Sequence, residues 1–338
     1  MRIDTYKQCA QAWTRRLSGS FAAMAILAGF TSVAPIAQAQ AWPERAVYLV
    51  TPLATGSASD VALRIVGEKL AAALGQSVVI ENQTGASGAI GADRVARAAA
   101  DGYTLCGCNN AILGVLPQVR KVPYDPVSNF RPVGTVAILP TLLLVNPALP
   151  VGNVKELIAY IKSRPGQVSY ASGGVGSPQH IAMAMFEKAA GVTLTHVPYK
   201  GASPAAIGLA AGEVDLMFNA VATVLPLVRS GKLRAIGVAG ATRTAILPDL
   251  ATVAEQGLAG YDYASWIGIV APRATPDAVV DKLSGELGKI LQSAGTVERF
   301  RDQGIDPFIL SPREMESYMA QDYARMTRVI QDAGMAEQ

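Results

Sequence analysis

Histidine and cysteine are scarce in this sequence of 338 residues. The chain has two histidines, His180 and His196, and three cysteines, Cys9, Cys106 and Cys108. It contains no H-E-x-x-H motif and no loop with paired carboxylates, the usual parts of a zinc site or of general acid–base catalysis. We therefore expect a protein that has no cofactor or metal and is not an enzyme.

Motifs for nucleophilic catalysis and phosphate binding are missing as well. Gly201–Ala205 comes closest to a nucleophile elbow, but no serine has glycine both two positions before it and two positions after it. Gly231-Lys232-Leu233 lacks the residues that complete a Walker loop. Gly85, Gly88 and Gly91 are spaced G-x-x-G-x-x-G, not G-x-G-x-x-G as in dinucleotide sites. We interpret them as a tight turn before a helix start that favours an anion.

The N-terminus has the features of a secretory signal peptide. Arg15 and Arg16 precede an apolar run that ends near Ile36, and the small-residue triplet Ala37-Gln38-Ala39 follows. The run is too short for a comfortable membrane span, whereas the triplet suits signal peptidase. We predict a signal peptide over residues 1–39, with cleavage after Ala39 or after Ala41, and a mature protein in the periplasm.

Removal of that segment leaves a chain with no net charge. The formal net charge of +3 is accounted for by four basic residues and one acidic residue of the signal peptide. A neutral chain without runs of lysine and arginine argues against a nucleic-acid partner, because neutralisation of phosphates dominates such binding. We expect the mature protein to be a monomer.

Two cysteines remain after processing, and their state is open. On an extended strand the Cα atoms of Cys106 and Cys108 would lie about 7 Å apart, at the edge of disulfide reach. We predict free buried thiols. A disulfide is the second option, because an exported chain meets an oxidising compartment, and a metal pair is the third.

Short apolar strands alternate with helical segments along the mature chain. One block begins with the strand Ala46–Thr51 and a second begins near Leu142. The length and the hydrophobic content of 50% are enough for about two domains. The alternation predicts an α/β fold with parallel sheets, in which ligands bind at the carboxyl ends of the strands.

Loops rich in glycine, serine, threonine and asparagine follow these strands. Four of them are Thr55–Ser59, Thr84–Gly88, Ser172–Ser177 and Gly201–Ser203. Any one of them could be simply a turn or a helix cap. Together they would place N–H groups and hydroxyls at helix N-termini, where the dipole favours an anion. We therefore predict a site for a small carboxylate.

Several segments of the mature chain are similar to motifs of one receptor family. They are Pro52–Asp60, Glu81-Asn82 with Gly85–Gly88, Asp101–Thr104, Tyr170–Gly174, His196–Gly201, Gly212–Phe218 and Gly231–Ala235. Along essentially its whole mature length, the chain resembles the Bug-type receptors of tripartite tricarboxylate transporters. The first segment is similar to the family's PFxPGGxxD loop, with Thr55 where the family often has proline and Ser57 in place of the second glycine.

The resemblance implies a type II periplasmic-binding-protein fold, with two Rossmann-like lobes and a ligand cleft between them. Lobe 1 would comprise residues 42–142 and 266–338, and lobe 2 would comprise residues 143–265. Ligand binding would close the lobes about crossings near Leu142 and Trp266. The ligand would be held by loop amides, hydroxyls and bridging waters rather than by an arginine clamp.

The function implied is that of a receptor rather than a catalyst. It would capture a di- or tricarboxylate, a hydroxy acid or an aromatic acid and deliver it to the membrane permease of a tripartite transporter, or to a sensor protein. The alternative is an exported α/β enzyme that acts on a small carboxylate.

The loops and the family motifs together predict a set of ligand-binding residues. The set is Leu53, Ser57, Ala58, Ser59, Asp60, Ser87, Asn109, Ser172, Gly173, Gly174, Ser177, His180, Tyr199 and Asn219. Asn219 stands where the family usually carries aspartate, which would attract an ammonium group and repel a second carboxylate. We therefore expect non-amino carboxylates to bind more tightly than aspartate or glutamate.

Overall fold

Two β-sheets with helices packed against them organise the fold. The computed structural model describes residues 42–332 and 334, so the predicted signal peptide lies outside the described residues. The strands are β1 (Val47–Thr51), β2 (Val78–Asn82), β3 (Thr104–Asn109), β4 (Phe130–Leu139), β5 (Thr141–Val145), β6 (Ser169–Ser172), β7 (Thr195–Pro198), β8 (Leu216–Ala220), β9 (Arg234–Val238), β10 (Ser265–Pro272) and β11 (Asp306–Pro307).

Helices fill most of the connections between the strands. They are α1 (Ala58–Leu74), α2 (Ala89–Ala96), α3 (Leu116–Val119), α4 (Val154–Lys162), α5 (Pro178–Ala190), α6 (Ala202–Ala211), α7 (Val221–Arg229), α8 (Asp277–Gln292), α9 (Ala294–Asp302) and α10 (Pro312–Asp332). A short 3₁₀ turn, Ala86–Gly88, precedes α2, and a π-helical turn, Ala111–Val115, precedes α3. Among the described residues, no helix is both long and apolar enough to cross a membrane.

Both sheets are mixed. The first sheet has the order β11-β4-β10-β3-β1-β2, and the second has the order β7-β6-β8-β5-β9. β1 is parallel to β2 and β3, and β6 is parallel to β7 and β8. β10 is antiparallel to β3 and β4, and β5 is antiparallel to β8 and β9. The prediction of parallel sheets is therefore wrong for β5 and β10, through which the chain passes from one sheet to the other, and for the short edge strand β11, which is antiparallel to β4.

The crossings explain the reversed strands. The chain leaves the first sheet at the end of β4 and enters the second as β5, one residue later, and it returns to the first sheet as β10. A strand that arrives from the other sheet enters at the side where the local parallel strands end, so it runs antiparallel to them. We call the first sheet with its helices lobe 1, and the second sheet with its helices lobe 2.

Local signals in the sequence account for the helix starts. Ser57 caps α1, and Ser177 caps α5 with Pro178 in the first turn. At α10, the Ser311 amide donates to Glu314 Oε2 (2.8 Å) while the Glu314 amide donates to Ser311 Oγ (3.4 Å), so the two residues form a capping box. The first two caps bring the N-termini of α1 and α5 to the carboxyl ends of β1 and β6.

Cys106 and Cys108 form a disulfide, so the prediction of free thiols is wrong. Their Cα atoms lie 5.6 Å apart, closer than the span of a fully extended strand, and both side chains are completely buried. The contraction of β3 at Gly107 brings the sulfurs within bonding distance. The strand then continues directly to Asn109, where it ends at the cleft.

Candidate functional site

A cavity of about 420 Å³ lies between the two lobes, at the carboxyl ends of the parallel strands. Lobe 1 contributes the loops after β1 and β2 and the end of β3, and lobe 2 contributes the loops after β6, β7 and β8. The crossing segments close the back of the cavity with Leu139, Thr141 and Ser265. This volume is in the usual range for small-molecule sites.

Most of the residues predicted to bind ligand line this cavity. They are Leu53, Ser57, Ala58, Ser59, Ser87, Asn109, Gly173, Gly174, Ser177, Tyr199 and Asn219. Asp60, Ser172 and His180 do not line it, although each belongs to a loop or helix that does. The structure thus brings together the predicted loops and turns these three side chains away from the cavity.

Asp60 is used to hold the first loop in shape. Its side chain is 2% exposed, and its carboxylate accepts hydrogen bonds from Gly56 N (2.9 Å), Arg64 Nε (3.0 Å) and Asn82 Nδ2 (2.8 Å). The Asn82 amide also donates to Leu53 O (3.1 Å). Asp60 therefore ties the loop to its own helix and to the end of β2, and it has no free oxygen directed at the cavity wall.

Ser172 plays a similar part in lobe 2. It is completely buried, accepts a hydrogen bond from Gly174 N (3.0 Å), and lies 2.6 Å from His196 Nε2 through its hydroxyl oxygen. These contacts hold the loop between β6 and α5 from the side that faces away from the cavity. Ser172 therefore supports the backbone at Gly173 and Gly174, which does line the cavity.

The two histidines stack behind the same loop. The rings of His180 and His196 lie 4.3 Å apart, and Tyr170 stacks on His196 at 4.7 Å. His180 Nδ1 accepts a hydrogen bond from Gly176 N (3.1 Å). Burial, with a smaller contribution from His196, lowers the pKa of His180 to about 4, and burial also lowers the pKa of His196. Both rings are therefore neutral near pH 7, and they act on the loop rather than on the cavity.

The N-cap serines of α1 and α5 face the cavity from opposite lobes. Ser57 Oγ accepts a hydrogen bond from Asp60 N (3.3 Å), and Ser177 Oγ accepts one from His180 N (3.4 Å). In each case the cap uses a lone pair of the oxygen, so the hydroxyl proton is free to donate elsewhere. Both serines line the cavity, at the positive end of a helix dipole.

Asn219 lines the cavity, but its side-chain amide is hydrogen-bonded to other residues of lobe 2. Its side chain is completely buried; Nδ2 donates to Ala202 O (3.1 Å), and Oδ1 accepts from Gln179 Nε2 (3.3 Å) and from Ala220 N (2.9 Å). Asn219 thus fixes the starts of three segments around the cavity.

Sequence reasoning missed several polar residues of the wall. Thr84, Thr141, Gln179, Lys200, Thr223 and Ser265 line the cavity but were not in the predicted set. Thr141 and Ser265 carried a usable signal, because each is the polar first residue of an otherwise apolar strand. Gln179, in the first turn of α5, is 6% exposed, and only its tertiary contact with Asn219 reveals its position.

Charge is almost absent from the cavity wall. Among the described residues that line it, Lys200 is the only one with a charged side chain, and no aspartate, glutamate, arginine or histidine belongs to the wall. Tyr199 donates to Glu213 Oε2 (2.6 Å) and, through burial and this carboxylate, has its pKa raised to about 12. Across the part of the chain that the structure describes, no group of three His, Cys, Asp or Glu residues could hold a metal ion.

The lobes touch each other around the cavity. Ala58 N of lobe 1 donates to Thr223 Oγ1 of lobe 2 (2.9 Å), and Ser203 Oγ of lobe 2 donates to Thr55 O of lobe 1 (3.3 Å). A Cβ atom on Gly174, which has φ +117°, would lie 2.9 Å from Ser87 Oγ of the other lobe. The φ of Gly174 favours glycine at this position, and an added Cβ would also displace the Ser87 hydroxyl.

Comparisons with known proteins agree on one family. Residues 62–335 match the model for the tripartite tricarboxylate transporter family receptor. BugT of Bordetella pertussis is 33% identical over 316 residues, which cover 92% of this chain and 97% of that protein.

Two solved structures with bound ligands are similar to this chain. The structure of R. palustris Rpa4515 with adipate has a TM-score of 0.86 and 37% identity, and the match covers 87% of this chain and 99% of the Rpa4515 chain. MatC from Rhodopseudomonas palustris, with bound malate, has a TM-score of 0.81 and 31% identity, and the match covers 86% of this chain and 100% of the MatC chain. These similarities confirm the predicted two-lobed fold of periplasmic binding proteins.

Proposed function

The chain belongs to the family of receptors of tripartite tricarboxylate transporters, and from this premise we propose that it captures a small carboxylate in the cavity between its lobes. Its relatives in complex with adipate and malate support a dicarboxylate or hydroxy acid as the ligand class. The chain is a solute-binding receptor by family, and we propose that it works in the periplasm, after removal of residues 1–39, and delivers the ligand to a membrane permease.

The observation that carries this proposal is the pair of capped helix N-termini that face each other across the cavity. Ser57 on α1 and Ser177 on α5 each keep a hydroxyl proton free for the ligand. At α1, the amide of Asp60 is taken by Ser57 and the amide of Ala58 by Thr223, which leaves the Ser59 amide to the ligand. An anion fits these donors without a cationic clamp.

The two ends of the ligand would be held by different lobes. We assign one carboxylate to the loop Ser57–Ser59 at the start of α1, and the opposite side of the ligand to the loop Gly173–Ser177 at the start of α5. Ser87, Asn109 and Tyr199 complete the wall between them. Because both lobes would contribute donors to one ligand, binding would favour the closed arrangement.

The lobe boundaries are part of this proposal. We place lobe 1 at residues 42–142 and 266–338 and lobe 2 at residues 143–265; the passage of the chain between the two sheets at Pro140 and again before Ser265 supports a division close to these bounds. Pro140, between β4 and β5, and the start of β10 at Ser265 are the crossings about which the lobes would move.

The wall also suggests which acids bind. A ligand ammonium group would need a carboxylate or several acceptors beside it, and no acidic residue lines the cavity among the described residues. Asn219, in the place of the usual family aspartate, is neutral and hydrogen-bonded to lobe 2. We therefore propose that non-amino carboxylates are preferred over α-amino acids.

An enzymatic role has one observation in its favour. Ser172 Oγ lies 2.6 Å from His196 Nε2, as a nucleophile lies beside its base in hydrolases. Ser172 is, however, completely buried and does not line the cavity, so a substrate in the cleft would not reach its oxygen. We propose binding without catalysis.

Native mass spectrometry on the freshly purified mature protein tests the proposal. The expected result is a complex with one small acid, which is identified unchanged after denaturation and is lost from the Ser57→Ala/Ser177→Ala variant. The identified acid is then added back to the wild-type protein. Its conversion into a product would contradict the receptor function and support the enzymatic alternative.

A further inference from the structure

Gln179 is a polar residue of the interlobe cavity that has no role in the function proposed above. It lies in the first turn of α5, after the Ser177 cap and Pro178. It lines the cavity although it is only 6% exposed. Buried polar side chains are nearly always hydrogen-bonded in native proteins. The partners of its two amide atoms therefore indicate what the side chain can bind.

Asn219 fixes the orientation of the Gln179 amide. Asn219 Nδ2 donates to the carbonyl oxygen of Ala202 (3.1 Å), and Asn219 Oδ1 accepts from the backbone N–H of Ala220 (2.9 Å). These backbone partners allow only one assignment of the Asn219 amide, with its oxygen towards Gln179. The Gln179 atom that lies 3.3 Å from Asn219 Oδ1 must then be the donor Nε2. The other amide atom of Gln179 is therefore the acceptor Oε1.

Gln179 Oε1 is an acceptor without a partner. Within the described part of the chain no donor reaches it, and it is not among the fully enclosed polar atoms that lack a hydrogen bond. The atom therefore keeps accessible surface. It lies beside Gly173, where an added Cβ would be 3.1 Å from Oε1, and both residues line the cavity. Gln179 thus presents a free acceptor to the cavity from the side of lobe 2.

An acceptor in this position selects a donor on the ligand. A carboxylate has only acceptor oxygens at neutral pH, so it would face Gln179 Oε1 with no proton between them. A methylene group in contact with Oε1 would leave the acceptor unpaired in a closed cavity, which is unfavourable. A hydroxyl group supplies the proton and leaves the carboxylate of the same ligand to the donors at the start of α1.

An ammonium group also supplies a proton, but the wall suits it less well. It has three donors and a full positive charge, whereas Gln179 Oε1 is one neutral acceptor. Among the described residues, no acidic side chain lines the cavity, and the charged residue that does is Lys200. Burial of a cation without a carboxylate beside it is costly. The wall therefore favours a hydroxyl group over an ammonium group.

We propose that Gln179 determines specificity in the interlobe cavity by accepting a hydrogen bond from a ligand hydroxyl, and that the ligand is a hydroxy acid. This inference rests on the proposed function, because it requires that a small carboxylate occupies the cavity. It narrows the ligand class to acids that carry a hydroxyl group. The carboxylate contacts the loop Ser57–Ser59 of lobe 1, and the hydroxyl contacts Gln179 of lobe 2.

Gln179→Met removes the acceptor with little change in the length of the side chain. Asn219 keeps its two hydrogen bonds to backbone groups in this variant. Gln256→Met is the matched control. Gln256 accepts from Val154 N (2.9 Å) and donates to Ile236 O (2.8 Å), and it does not line the cavity. Both variants lose amide hydrogen bonds of lobe 2, but only Gln179→Met loses the acceptor in the cavity.

Calorimetric titration with matched acids, which differ by one hydroxyl group, tests the proposal. The pairs are malate with succinate, citrate with tricarballylate, 2-hydroxyadipate with adipate, and mandelate with phenylacetate, the chiral acids as separate enantiomers. We expect at least one hydroxy acid to bind the mature wild-type protein, and to bind at least about fivefold more tightly than its partner, because the partner leaves Gln179 Oε1 unpaired.

The variants then separate recognition from structural support. Gln179→Met should reduce the preference for the hydroxy acid to within about twofold, and the affinity for the acid without the hydroxyl should not fall. A merely structural role of Gln179 would lower both affinities together. Gln256→Met should keep the wild-type preference.

Four results would contradict the inference. Equal binding of the two members of every pair that binds, or an unchanged preference in Gln179→Met, would remove the role of Gln179. Tighter binding of aspartate than of malate would assign the acceptor to an ammonium group. These three results leave the binding of a small carboxylate intact. Failure of every acid to bind the wild type would contradict the proposed function itself, and the inference with it.

Discussion

The hydroxyl of Ser57 has two proposed roles, helix capping and ligand binding. Ser57→Ala deletes both the cap on the Asp60 amide and the donor proposed for the ligand carboxylate. Loss of an N-cap costs about 1 kcal/mol of stability. Loss of a hydrogen bond to a charged group costs about 1.5 to 3 kcal/mol, which corresponds to an affinity about 10- to 150-fold weaker. Ser177→Ala should behave in the same way, from lobe 2.

Ser311→Ala is the matched control. Ser311 caps α10 with the same geometry, since its Oγ accepts from Glu314 N (3.4 Å), but it does not line the cavity. This variant should lose a similar amount of stability while its ligand affinity stays within about twofold of wild type. Chemical denaturation gives the stabilities, and calorimetric titration with the bound acid gives the affinities.

The comparison of the three variants can refute the assignment. If Ser57→Ala and Ser177→Ala bind the acid as tightly as Ser311→Ala does, the two serines are only helix caps. The carboxylate would then lie elsewhere in the cavity.

Three further changes probe other parts of the account. Below pH 6.5 the unfolded chain protonates His180, whereas this half-buried residue stays neutral in the folded protein until about pH 4. The free energy of unfolding should therefore fall as the pH drops through this window, by about 3 kcal/mol from this residue. Chemical denaturation of His180→Asn should show a flatter pH profile, and an unchanged profile would count against the low pKa of His180. Asn219→Asp should raise the affinity for amino acids relative to that for non-amino carboxylates, measured by titration with a panel of acids. An identical ranking of the panel by the variant and the wild type would refute the specificity argument. Gly174→Ala should weaken ligand binding at least tenfold by keeping the loop away from Ser87. Small-angle scattering should then show less compaction on ligand addition than for the wild type. Equal compaction would show that lobe closure does not need the close contact between Gly174 and Ser87.

The order of loops and helices could be predicted because it depends on local signals. Glycine and serine mark the turns after the strands, and the caps at Ser57, Ser177 and Ser311 fix where the helices begin. These signals suffice to identify the loops that meet at the cavity. The fold and family followed from the same segments, because the motifs of the family are largely these loops.

The side chains that turn away from the cavity could not be predicted from neighbours in sequence. Asp60 is next to Ser59 in α1, but its carboxylate points to Asn82, a partner 22 residues away at the end of β2. Ser172 and His180 are likewise held by contacts with His196 from β7 and with Gly176. Membership of a loop is a local property, whereas the direction of a side chain depends on tertiary partners.

The reversed strands and the disulfide were missed for related reasons. β5 and β10 are reversed because the chain enters each of them from the other sheet, and no local signal in the sequence marks that tertiary path. The bond between Cys106 and Cys108 requires a Cα distance of 5.6 Å, which an ideal strand does not supply. Neither feature can be inferred from residue type alone.

The central claim is that a small non-amino carboxylate binds between the lobes through the two capped helix N-termini. A titration of the mature protein and of its Ser57→Ala/Ser177→Ala variant with a panel of dicarboxylates, hydroxy acids, aromatic acids and amino acids tests it most directly. We predict that at least one non-amino acid binds the wild type with a stoichiometry of one, and that the double variant binds it at least tenfold more weakly. Binding of the same acid with equal affinity by both proteins, or a preference of the wild type for amino acids, would contradict the account.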